Sequence, residues 1–306
     1  MTADVVIPTW RGRELLARCL AALQTDPSPK RVIVVDNGSH DGTAQLVRER
    51  FPGMTLVELS DNVGFGRAVN AGARAGEGDA IVLVNNDVLV APGFVDAIVA
   101  PLAAPAVGMV AGLTTIPETD LVDGFGIELD GALLAYNRAR HAPVGSPAGR
   151  LAMPSGGAAA YRRSAWEAAA GFDEALFAYG EDVDLGLRLR ALGWEAAEAA
   201  DARGVHLGGA TTGVDSPLQR ELAGFARGFL LRRYGILATR AAPRALAFDA
   251  LVVGWGLVRH RTLAPLRARA RGWRTAGRGG RRPLPDQVLD PAIGVTESLR
   301  RLRSAR

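Results

Sequence analysis

Four times within the first 104 residues, a short β-branched apolar run is followed by a stretch of helical periodicity. DVVI (4–7) precedes ELLARCLAALQ (14–24), and RVIVVD (31–36) precedes DGTAQLVRER (41–50). TLVEL (55–59) precedes GRAVNAGARA (66–75), and AIVLV (80–84) precedes GFVDAIVAPLAA (93–104), where Pro92 is placed to open the helix. Strands that are apolar at every position, rather than at alternate ones, are buried on both faces. The environment that provides this is a mostly parallel sheet with helices on both sides, so the pattern predicts an α/β fold. VGMVAG (107–112) reads as a further strand. From 113 to 154 the regularity dissolves into Gly, Pro and scattered polar residues. It returns in AAAYRRSAWEAAAGF (158–172) and FAYGEDVDLGLRLRALGW (177–194), and beyond about 215 the chain reads as helical and Arg-rich.

The 306 residues, 48% hydrophobic, suffice for one large domain with an appendage. From residue 240 onward fifteen Arg face Asp249, Asp286, Asp290 and Glu297, so this tail carries +11 and the rest of a +4 chain carries −7. A basic tail on an acidic body suits a polyanionic surface. The run ALAFDALVVGWGLV (245–258) has 14 residues and contains Asp249, which falls short of the ~20 needed for a membrane span. It reads either as a helix lying in the lipid interface beside its Arg neighbours or as an ordinary packed helix. Cys19 is the only cysteine, which excludes an intrachain disulfide and fits a reducing compartment. MTADVVIPTW enters a strand without a basic or apolar leader, so a cytoplasmic chain is expected.

In an open parallel sheet, ligands sit beyond the carboxyl ends of the strands. Four polar stretches fall there: Pro8-Thr9-Trp10-Arg11, Asp36-Asn37-Gly38-Ser39, "DNVGFGRAVNAG" (61–72) and Asn85-Asn86-Asp87. Together they form the expected rim of a nucleotide pocket. Each also has an ordinary structural reading. The 36–41 stretch is rich in turn formers. Gly64 and Gly66 permit a tight turn, and the dinucleotide fingerprint fails because its third glycine would be Val69. Arg67 is either a solvated charge or the rim's cation for a phosphate or base. The triplet interrupts an apolar run, which is costly unless it ends a strand with partners. Asp87 there either caps or holds a hard divalent cation. His206, one of four histidines, is either a satisfied structural residue or part of a Gly-rich loop folded over the site.

The stretch "FAYGEDVDLGLRLRALGW" sets Glu181, Asp182 and Asp184 in the first turn of a helix. Acids there are favoured by free N–H groups and the macrodipole, worth about 0.3–1 kcal/mol each. Asp184 has Arg188 four residues on, and Leu185, Leu189 and Leu192 mark a buried stripe.

Taken in order, "VVIPTW", "VVDNGSHDGT", "NVGFGRAVNAG", "VLVNNDVLVAPG" and "GGAAAYRRSAWEAAAGFDEALFAYGEDVDLGLRLRALGW" resemble the family 2 glycosyltransferases, over about residues 3 to 212. The nearest likeness is to the bacterial rhamnosyltransferase-like enzymes that build cell-surface polysaccharides. The resemblance implies a GT-A fold with a Rossmann-like sheet, residues 1–112 forming a nucleotide-binding half and 113–215 an acceptor and catalytic half. Residues 216–306 then form a helical basic extension suited to an anionic membrane surface. It implies inverting transfer from a nucleotide-sugar donor to a glycan or polyprenyl-diphosphate-linked acceptor, with Mn2+ or Mg2+ as cofactor. Pro8, Thr9 and Asp36 would hold the base, with Gly38 part of the nucleotide-sugar site and Arg67 on base or diphosphate. Asn85-Asn86-Asp87 occupies the DxD position with Asn85 in place of the first acid. That leaves Asn85 for the ribose and Asp87, with His206, for the metal. Glu181 and Asp182 match the "ED" pair, whose aspartate is the catalytic base.

Two other classes compete. A nucleotidyltransferase of related sheet would carry a Gly-rich basic loop after the first strand, and "PTWRGRELL" has no such glycine run. A non-catalytic scaffold would not need Asp36, Asp87, Asp182 and His206 together. Nucleic acid is not an expected partner, since the tail interleaves few aromatics with its Arg for base stacking, chiefly Trp255 and Trp273.

Overall fold

The computed structural model describes residues 1–208 and 216–304. Strands β1 (Ala3–Thr9), β2 (Arg31–Asn37), β3 (Thr55–Leu59) and β4 (Ala80–Val84) alternate with helices α1 (Arg13–Thr25), α2 (Thr43–Arg50) and α3 (Phe65–Arg74). They lie in the order β3-β2-β1-β4, all parallel. Val5 and Ile7 face α1, α2 and the helix α4 (Phe94–Val99), while Val6 faces α3 on the opposite side. Burial on both faces is the physical reason β1, β2 and β4 read as unbroken apolar runs, whereas β3, at the sheet edge, is only partly buried.

Beyond β4 the sheet becomes mixed. Strand β5 (Val88–Val90) follows the Asn85-Asn86-Asp87 step, and β6 (Val107–Thr115) follows α4. The irregular stretch of the sequence contains three short strands, β7 (Val122–Gly124), β8 (Ile127–Leu129) and β9 (Ala135–Asn137). Strand β10 (Ala158–Arg162) enters antiparallel between β4 and β6, followed by α5 (Arg163–Ala168), α6 (Glu181–Ala191) and β11 (Glu195–His206). The full order is β3-β2-β1-β4-β10-β6-β11-β5, with β7 on β6. Four strand spacings of ~4.8 Å would put β5 about 19 Å from β4 in a flat sheet, farther than a three-residue link reaches at ~3.5 Å per residue. The sheet therefore curls so that β5 returns to the end of β4.

The C-terminal part comprises α7 (Pro217–Arg233), α8 (Ala242–His260), α9 (Ala264–Gly277) and α10 (Val295–Ser304). It is helical, and it shares the main core: Phe229, Leu230, Tyr234, Ala245, Ala276 and Val288 belong to the same apolar cluster as Val6, Tyr161 and Leu185. α7 and α9 approach so closely that a Cβ on Gly228 would fall 2.0 Å from the Arg269 carbonyl oxygen. The 215/216 boundary and part of the Gly-rich stretch after His206 lie outside the described residues.

Candidate active site

The rim residues begin at β1 and β2, where Pro8 and Thr9 pair in register with Val35 and Asp36. Asp36 is buried, and its Oδ1 accepts the Ser39 N–H at 3.0 Å. The turn reading of this stretch is therefore correct for one carboxylate oxygen. Ser39 Oγ in turn accepts the Arg11 N–H at 2.9 Å. Asp36, Gly38, Ser39, His40, Thr43 and Glu58 line a cleft of about 170 Å³. Across the rim, Asn86 Nδ2 donates to Thr9 Oγ1 at 2.8 Å, and both side chains are buried. Asn86 thus ties the end of β4 to the end of β1.

The next residue carries the strongest electrostatic feature. Asp87 Oδ1 lies 3.3 Å from His206 Nε2, and His206 Nδ1 lies 2.6 Å from Asp123 Oδ2. Sheet register explains the meeting. His206 pairs with Val88, Val205 with Thr115, and Thr115 with Val122, so β11 brings His206 between the Asp87 step and β7. The hydrogen bond to Asp123 and the nearby Asp87 carboxylate push the His206 pKa up to about 10 despite burial. Burial opposes the charge on Asp123, yet the His206 hydrogen bond and charge, helped by Arg140, hold its carboxyl below the ordinary range.

Asp87 Oδ1 is nonetheless a buried oxygen without a hydrogen bond, because the 3.3 Å approach of Nε2 is poorly aligned. Asn85 Oδ1 beside it is likewise buried and unbonded. Such atoms cost about 1–3 kcal/mol each unless something else satisfies them. A divalent cation held by Asp87 Oδ1 and His206 Nε2 would satisfy both, with Asp123 fixing the imidazole from behind. The chemistry of these two donors fits such an ion, although no cluster of three acidic, His or Cys ligands occurs among the described residues.

The catalytic-helix candidates approach from the other side. Glu181 and Asp182 open α6 after Gly180, and no side chain caps the helix. Asp182 Oδ1 accepts the Val183 N–H at 2.7 Å, so the acid does satisfy a first-turn donor. Burial holds Asp182 above the ordinary carboxylate range, moderated by the N–H groups of Val183 and Gly156. Glu181 is raised by burial and by the charge of Asp182, and its Oε2 has no hydrogen bond. Within the pair, Asp182 is therefore the better-supported anion and Glu181 the better proton holder. Gly156 and Gly157 link the two groups: Gly156 faces Asp182, while the Gly157 carbonyl accepts the Asn85 N–H at 3.2 Å. Asp36, Thr9, the Asn85–Asp87 step, His206 and Asp182 are thus joined by a continuous series of contacts.

Arg67 meets none of these; it lies on α3, half exposed, 3.4 Å from Glu174 Oε2. The α3 entrance is instead fixed by backbone, with the Phe65 N–H donating to the Phe177 carbonyl at 2.6 Å. Asp184 pairs with Arg188 at 2.8 Å as its spacing predicts. Leu192 departs from the expected stripe: it is 54% exposed, standing past the last residue of α6 as its C-cap. Asp123 and Gly156 are functional candidates that the sequence does not reveal. Both lie near or within the 113–154 stretch, which has no period to assign a face.

The description "Glycosyltransferase like family 2" fits residues 3–233. Over 241 residues the chain is 33% identical to the N-acetylglucosaminyl-diphospho-decaprenol L-rhamnosyltransferase of Mycobacterium tuberculosis, covering 69% of this chain and 78% of that protein. The Myxococcus xanthus O-antigen biosynthesis protein RfbC is 27% identical, covering 70% of this chain and 18% of that longer protein. Among solved structures, a Pyrobaculum calidifontis mannosyltransferase in complex with GDP-Man and Mn2+ superposes with a TM-score of 0.57 at 19% identity, over 99% of this chain and 79% of its own. GalNAc-T7 with UDP, GalNAc and Mn2+ gives a TM-score of 0.58 at 15% identity, over 76% and 48%. At such identities the structural likeness concerns the fold.

Proposed function

The chain belongs to glycosyltransferase-like family 2, and from that premise we propose inverting transfer of a sugar from dTDP-rhamnose or a UDP-sugar to a hydroxyl of a lipid-linked cell-surface glycan precursor. The name of the mycobacterial relative, which joins rhamnosyl transfer to a diphospho-decaprenol acceptor, supports this donor and acceptor class. The observation that supports this reading is the short run of backbone contacts from Asp182 through Gly156-Gly157 to Asn85, two residues before Asp87.

Asp182, whose anion is supported by the backbone N–H groups of Val183 and Gly156 against the effect of burial, takes the proton of the acceptor hydroxyl. That oxygen attacks the anomeric carbon opposite the departing nucleotide, which inverts the centre. Pro8, Thr9, Asp36 and Gly38 receive the base in the cleft beside β2, and Asn85 turns its unbonded oxygen to the ribose. Asn86 supports this surface through Thr9. Arg67 serves base or diphosphate by leaving Glu174. Asp87 and His206 are the residues that would hold Mn2+ or Mg2+, which when bound neutralises charge on the leaving diphosphate. Mn2+ in two structural neighbours supports the cation.

No described helix is long and apolar enough to cross a membrane. Peripheral contact of the extension with an anionic membrane is favoured by α8. Its one acid, Asp249, turns inward to Arg227 at 3.0 Å, while Leu246, Leu251 and Val258 are exposed. Sedimentation with phosphatidylglycerol vesicles tests it, and binding should fall with added salt.

The deciding experiment is Asp182→Asn assayed with dTDP-rhamnose and UDP-N-acetylglucosamine on a decaprenyl-diphospho-N-acetylglucosamine acceptor. Turnover should drop about 10²- to 10⁴-fold while nucleotide binding survives. Wild-type turnover by this variant removes Asp182 as the base.

A further inference from the structure

We propose that Arg282, beyond the part of the chain that matches the family, is a positioning residue for Asp182. The inference rests on Asp182 being the base. Arg282 Nη1 donates to Asp184 Oδ1 at 2.5 Å and Nη2 to Asp173 Oδ2 at 2.9 Å. One planar guanidinium therefore bridges the two ends of the segment 173–184, and Asp182 lies inside that bridged segment. The Arg282 N–H is itself fixed by the Arg233 carbonyl at 2.7 Å, at the end of α7.

Asp184 is fully buried and also accepts from Arg188 Nε at 2.8 Å and Tyr234 Oη at 2.8 Å. Asp173 has a second guanidinium, Arg233, at 3.8 Å. Removing Arg282 therefore leaves each carboxylate beside another Arg, so neither becomes an uncompensated buried charge. What disappears is the link between the two. The loop end can then shift relative to the first turn of α6, and a displacement of about 1 Å at a catalytic group costs up to ~10²-fold in rate.

A lysine retains the charge and loses the fork, because an ammonium is a point donor that cannot span both carboxylates. Arg282→Lys and Arg282→Ala are compared with the full-length wild type by thermal melting, by amide hydrogen exchange of peptides covering 173–184, and by kinetics with the donors and acceptor named above. The expected result for Arg282→Lys is a near-wild-type melt, faster exchange confined to 173–184, kcat reduced 10-fold or more, and donor KM within twofold. Unchanged exchange in 173–184 overturns the proposal. So does full recovery of kcat by lysine, which would make the residue's contribution one of charge alone. Asp182→Asn is run in parallel. If it turns over normally the base assignment falls, whereas the exchange readout reports on the Arg282 bridge in either case.

Discussion

At the scale of single residues, two adjacent acids are made unequal by their neighbours. Asp182 receives the Val183 N–H, and Glu181 points an unbonded oxygen into a buried space. Glu181→Gln, a neutral isostere, should therefore retain most turnover where Asp182→Asn loses it; equal losses in parallel assays would contradict the asymmetry. His206 offers a pH dependence with a definite sign. Its pKa of about 10 means that near pH 7 it carries a proton that a cation must displace. Divalent-ion affinity should rise as pH rises toward 10, and calorimetry in buffers of differing ionisation enthalpy should register proton release. Asp123→Asn removes the carboxylate behind His206 and should weaken Mn2+ binding 10- to 100-fold by the same titration. Sequence made Asp87, Asp182 and His206 legible because each interrupts or bounds a regular element. Asp123 was hidden, since a three-residue strand has too little pattern to announce which way it faces.

Elements were legible in proportion to their regularity. The strand runs 4–7, 31–36, 55–59 and 80–84 fall within β1 to β4; in β1, β2 and β4 burial on both sides leaves an unbroken apolar signature, while the edge strand β3 is half-buried and admits Glu58. β7, β8 and β9, at three residues each, are too short to do so. The α3 entrance shows what a glycine spacing conceals. Gly64 has φ of 94°, and a Cβ there would lie 2.5 Å from the Phe177 carbonyl. Gly64→Ala should cost about 1–3 kcal/mol, read by urea unfolding, and should disturb the loop leading to Asp182. A variant as stable as wild type would show that this contact yields.

For the molecule as a whole, composition identified a basic helical tail but not its attachment, because Arg counts do not distinguish solvated guanidinium from the buried pairs of Arg227 and Arg233. Ending the chain at Arg233, where the family likeness stops, would bare Phe229, Leu230 and Leu231. Such a fragment is expected to lose its cooperative melt in calorimetry; a sharp transition would show that the first 233 residues fold alone. The step from Val84 to Val88 is a tight turn, closed by the Val88 N–H donating to the Asn85 carbonyl at 3.1 Å. One added residue would slide β5 against β11 and turn its inward side chains outward. Substitution at those three positions changes the chemistry of the step, but their number is held by the geometry of the sheet itself.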